Sequence, residues 1–124
     1  MFIVDDNIIK INRGDAGTLN LVIPLSEDEN YEFDVGDKIQ FRIFEKKGYD
    51  KELILEKEVE ITEQCENVLI SLSEEDTTFG DDINKPVTYW YEIDLNNEQT
   101  IIGYSEEGPA ELILYPAKGV ESNA

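Results

Sequence analysis

Four stretches of the chain alternate apolar and polar residues with a period of two, and none keeps a 3.6-residue apolar period over three turns. Alternation of this kind sets one side of an extended strand against a core and the other against water. "KIQFRIFE" (38–45) places Ile39, Phe41 and Ile43 on one face and Lys38, Gln40 and Arg42 on the other. "LILEKEVEI" (53–61) aligns Leu53, Leu55, Val59 and Ile61, with Lys57 the odd member of that row and Ile54, Glu56, Glu58 and Glu60 opposite. "VLISL" (68–72) offers Val68, Ile70 and Leu72. "VTYWYEIDL" (87–95) sets Val87, Tyr89, Tyr91, Ile93 and Leu95 against Thr88, Trp90, Glu92 and Asp94.

Weaker strands surround these: "IIKIN" (8–12), "TLNLVI" (18–23), "QTIIGY" (99–104) and "AELILYP" (110–116), the last ended by Pro116, which has no N–H for a ladder. The connections carry turn chemistry. "DVGD" (34–37) closes a long acidic link over 26–37, "NNEQ" (96–99) makes a short hairpin, and Ser73 with Asp76 three residues on forms a cap-like opening to one helical turn. Short strands separated by such signals imply an all-β fold, an Ig-like two-sheet antiparallel β-sandwich of about seven to eight strands with that one short helical turn. With 124 residues the chain has enough material for one core. The sandwich is read over residues 1–116, and 117–124, with little to bury, as a flexible C-terminal tail.

Charge narrows the function. There are 29 acidic against 10 basic residues, a formal net charge of −19. Such a surface repels phosphate backbones and anionic membranes, so neither nucleic acid nor membrane is expected as a direct partner. "MFIVDDNIIK" has no basic n-region or apolar h-region, so a cytoplasmic place of synthesis is expected. The single cysteine, Cys65, cannot form an internal disulfide, and with acidic neighbours it reads as a loop or strand-end residue.

Catalytic patterns are missing. Without histidine, Ser-His-Asp and Cys-His systems and most zinc sites are excluded, and no glycine-rich phosphate loop is present. Carboxylate pairs are so abundant that none singles itself out as a glycosidase pair. The chain therefore reads as a non-enzyme, with no catalytic residue, metal or cofactor assigned. The acidic loop 73–84 holds Glu74, Glu75, Asp76, Asp81 and Asp82, but its spacing is not that of an EF-hand, and a solvated loop is the plainer reading.

Three residues stand out as candidate contacts. Trp90 lies on the polar face of its strand, so it is either an interface anchor or an indole covered by its own chain. Arg42 and Lys38 are basic residues on an acidic surface, placed to meet Glu56, Glu58 and Glu60 of a neighbouring subunit in a homo-oligomer.

The order "INRGDAGTLNLVI", "YEFDVGDKIQFRIFE", "LILEKEVEI", "VLISLSEEDT", "YWYEIDLNNEQTIIGY" resembles a group of small β-sandwich modules of tailed phages and prophages of Gram-positive bacteria, of which the N-terminal domain of siphophage upper baseplate proteins is the best-known member. The likeness covers residues 8 to 115; Ala16 stands where the group has Thr or Ser, and "GDDINKP" (80–86) replaces a simpler turn. It implies a structural or assembly protein, a tail or baseplate module that acts through protein–protein contacts and oligomerisation, with other tail and baseplate proteins as partners and the virion tail as its destination. Two alternatives stand beside it: an acidic nucleic-acid mimic that inhibits a host defence enzyme, and a carbohydrate-binding or adhesion Ig-like module.

The tripeptide Arg13-Gly14-Asp15 could be taken for a receptor-adhesion signal. Between two strands, with Gly17 just beyond, it reads instead as a corner, where Gly14 and Gly17 supply backbone freedom and Asp15 bonds the turn.

Overall fold

The computed structural model describes residues 2–45, 53–80, 84–103 and 109–117. Among the described residues eleven strands run β1 Phe2–Asp5, β2 Ile8–Asn12, β3 Gly17–Leu21, β4 Pro24–Ser26, β5 Glu29–Asn30, β6 Lys38–Phe44, β7 Leu53–Glu60, β8 Val68–Leu72, β9 Val87–Leu95, β10 Gln99–Ile102 and β11 Glu111–Tyr115. All eight strands expected from the sequence are present. The additional three, β1, β4 and β5, are short and largely exposed.

The larger sheet is ordered β1-β2-β11-β9-β6-β7, with β10 also on β9. β9 changes partner along its length: Val87 to Trp90 pair with β11, and Ile93 to Leu95 with β10. β3 and β8 form a second, two-stranded sheet, in register from Gly17↔Leu72 to Leu21↔Val68. The two sheets make a sandwich. Ile9, Ile11, Ile39, Phe41, Ile43, Tyr91, Ile93, Leu112 and Leu114 of the large sheet meet Leu19, Leu21, Val68, Ile70 and Leu72 of the small one in one buried cluster. Each such side chain is worth about 1.5–3 kcal/mol when fully buried, so this inward row dominates stability.

Two expectations about the strands need correction. The sheet is not wholly antiparallel: β2 and β11 pair in parallel, Leu112↔Ile9 through Tyr115↔Asn12, because the last strand returns to the middle of the sheet beside the second. Leu53 was expected inward but is 53 % exposed. A register shift opposite Ile43 and Phe44 inserts Ile54 into β7 and breaks the alternation there.

The turns follow their residues. Asp6 and Asn7, both at positive φ, join β1 to β2 by a two-residue turn between Asp5 and Ile8. Asn96 and Asn97, at φ 55° and 57°, head the β9–β10 turn. Gly36 at φ 97° completes the expected turn over Asp34–Asp37, closed by Asp37 N–H to Asp34 O at 3.0 Å. Over 73–79 there is a hydrogen-bonded turn and no helix. Ser73 N–H donates to Asp76 Oδ2 at 2.9 Å and Asp76 N–H to Ser73 Oγ at 3.1 Å, so the cap forms reciprocally although nothing long follows it. Of the proposed tail, all but Ala117 lies outside the described residues. No helix among the described residues is long and apolar enough to cross a membrane.

Candidate functional site

The outer face of the large sheet carries the densest polar chemistry among the described residues. Antiparallel register sets Arg42 of β6 opposite Glu56 of β7 on one side and Glu92 of β9 on the other. Its Nε donates to Glu56 Oε2 at 2.6 Å and its Nη1 to Asp94 Oδ2 at 2.8 Å, while Glu92 Oε1 stands 3.9 Å away. Its Nη2 donates to Asn97 Oδ1. One planar fork thereby ties β6 to β7, to β9 and to the β9–β10 turn.

Gln40, two residues before Arg42, lies beneath the same turn and is 1 % exposed. Its Nε2 donates to Glu58 Oε2 at 3.0 Å, and its Oε1 accepts Asn97 N–H at 3.0 Å. Asp94 is also buried; one carboxylate oxygen takes Arg42, and Oδ1 has no partner among the described residues. Burial and charge shift Glu92 and Arg42. Desolvation, with Asp94 beside it, raises the Glu92 carboxyl above its usual value despite the opposing pull of Arg42. Burial alone would loosen the proton of Arg42, but the bond and charge of Glu56 and the charges of Asp94 and Glu92 more than offset it, so its pKa rises.

Arg42 is thus engaged inside its own chain. Lys38 is exposed at the start of β6; its main chain is clasped by Asn96, whose Oδ1 accepts Lys38 N–H at 2.8 Å and whose N–H donates to Lys38 O at 2.7 Å. Trp90 is half-buried, with Phe44 of β6 and Glu111 of β11 as its cross-strand neighbours. The three candidates therefore share one face. The sequence did not disclose Gln40, Asp94 and Asn97 as parts of the hub; only the cross-strand register of Arg42 brings them to it.

The other sequence motifs are structural. Asp15 N–H donates to Asn12 O at 3.0 Å and Gly14 has φ 88°, so Arg-Gly-Asp forms a tight turn after β2. Arg13 Nε and Nη2 donate to the carbonyls of Phe79 and Gly80 at 3.2 and 3.1 Å, and Thr77 Oγ1 donates to Asp15 O at 2.8 Å. The tripeptide is half-buried and clamps the 73–80 loop onto the sandwich. Asp76 of that loop also binds Lys57 Nζ at 2.9 Å, which accounts for the odd lysine in the inward row of β7. Part of the acidic loop, residues 81–83, lies outside the described residues; among the described residues no group of carboxylates is placed to hold a metal ion. Cys65 is half-buried and bridges Phe33 through main-chain bonds, Phe33 N–H to Cys65 O at 2.7 Å among them. The depression beside it, lined by Ile61, Cys65 and Val68 among others, is shallow and open.

No protein-family model, curated protein or solved structure matches this chain.

Proposed function

We propose that the protein is a non-enzymatic structural or assembly module of a phage or prophage, of tail or baseplate type, working through protein–protein contacts. One observation carries the reading. The groups that would make a chemical site, Arg13, Arg42 and Asp76, hold the chain's own turns and strands together, while apolar side chains such as Leu25, Val35 and Leu69 stand 57 % to 68 % exposed. Exposed apolar groups on an acidic sandwich suit docking better than turnover.

The nucleic-acid mimic has one feature in its favour, the row Glu56, Glu58 and Glu60 along β7. Two of its three members turn back onto Arg42 and Gln40, which leaves a short array. Mass spectrometry of purified particles from an induced source strain tests the first reading. The protein is expected in stoichiometric amount; particles that lack it, with a free protein that displaces DNA from a nuclease, would favour the mimic.

A further inference from the structure

β7 ends the large sheet and among the described residues pairs only with β6, so its second edge presents unpaired main-chain groups over eight residues. That edge is about 26 Å long at roughly 3.3 Å per residue, longer than most edges that proteins leave open. We infer that this edge is a docking strand for an extended segment of another protein with basic side chains at alternate positions, added to the sheet as a further strand. The inference rests on the reading of the protein as an assembly module and names the surface that module would use.

Three observations fix the partner's chemistry. On the outer face Glu56, Glu58 and Glu60 are exposed at alternate positions; Glu56 and Glu58 each spend one oxygen, Oε2, on Arg42 and Gln40, so an added strand meets a partly engaged carboxylate at the first two positions and Glu60 at the third. On the inner face Leu55 and Val59 are half-buried on either side of Lys57, whose charge is taken up by Asp76, which asks for apolar residues beside Leu55 and Val59. The whole chain carries −19, so a basic segment is attracted from a distance as well as on contact. The β7 edge of a second copy is the wrong occupant. Any antiparallel self-pairing of β7 that keeps the two faces aligned sets glutamate against glutamate, and around Lys57 it sets lysine against lysine.

The test is hydrogen exchange on the full chain with two synthetic nonapeptides of equal composition, one alternating lysine and valine, the other with all lysines in one block. The alternating peptide is expected to slow exchange of the β7 amides at least severalfold and to bind more tightly than the block peptide. Glu60→Lys, at the one glutamate of the row that bonds neither Arg42 nor Gln40, should cut that protection severalfold while leaving the amides of β9 and β11 as slow as before. Equal binding of both peptides, or protection spread without preference for β7, would overturn the inference. So would concentration-dependent protection of β7 without peptide, which would make a second copy the occupant. Should the Glu60→Lys protein still enter particles as the unaltered one does, the β7 assignment falls and the assembly reading stands.

Discussion

Arg42 passes over the residue directly opposite it, Glu92 at 3.9 Å, and bonds the diagonal neighbour Asp94 at 2.8 Å. The choice leaves Glu92 beside Asp94 in a partly dehydrated setting and lets the same guanidinium reach Asn97 in the turn. The outer face is therefore held by a many-sided contact and not by a simple pair.

Removing that contact is costly. Arg42→Met leaves Asp94 and Glu92 without their cation in a buried or half-buried site, a loss of roughly 2–4 kcal/mol. Arg42→Lys restores the charge without the fork and is expected to recover less than half of it. Urea denaturation of the three proteins measures both.

Stability follows pH in two limbs. A carboxyl whose folded pKa is raised, as for Glu92, binds its proton more readily in the folded state, so its contribution grows as pH falls from neutral through that raised value. Asp76 runs the other way. Burial would raise it, but the bonds from Ser73 and the charge of Lys57 win and lower its pKa. The stability it lends is present above the ordinary aspartate value and is lost as pH falls through the lowered one. Melting temperature should therefore rise on mild acidification and fall below about pH 4. Glu92→Gln should flatten the upper limb and Asp76→Asn the lower.

Arg-Gly-Asp is a clamp, and its variants should behave as clamp variants. Gly14→Ala places a Cβ at φ 88° and costs about 1–2 kcal/mol. Arg13→Ala removes the donors to Phe79 and Gly80 and should speed amide exchange in 73–80. Cell-adhesion assays should show no receptor binding by the folded protein.

Lys57 guards an edge. Its charge points along the inward row of β7 to Asp76, with both ends part-exposed, so its direct contribution is below about 1 kcal/mol. Its larger effect is on association: Lys57→Val makes that row wholly apolar, and light scattering should show faster aggregation at equal concentration.

The inward rows were legible because a core admits few exceptions to alternation: Ile39, Phe41 and Ile43, and Tyr89, Tyr91 and Ile93, are where the period places them. β1 escaped notice because its four residues bury little, although Asp6-Asn7 is a hairpin turn that marks it. The irregularity at Ile54 left no trace, since a shift of one residue keeps the composition of the segment. Gln40 and Asp94 looked like solvated polar residues. Their burial depends on Asn97 folding back over β6, a long-range relation that no local period encodes.

The central claim, that this sandwich acts by assembly, is tested most directly by size-exclusion chromatography with light scattering. The protein would be mixed in turn with each product of the genes flanking its own. The account predicts a complex of fixed stoichiometry with a tail or baseplate protein, weakened by salt as the acidic surface requires. A strict monomer that forms no complex with any of them at high concentration would contradict it.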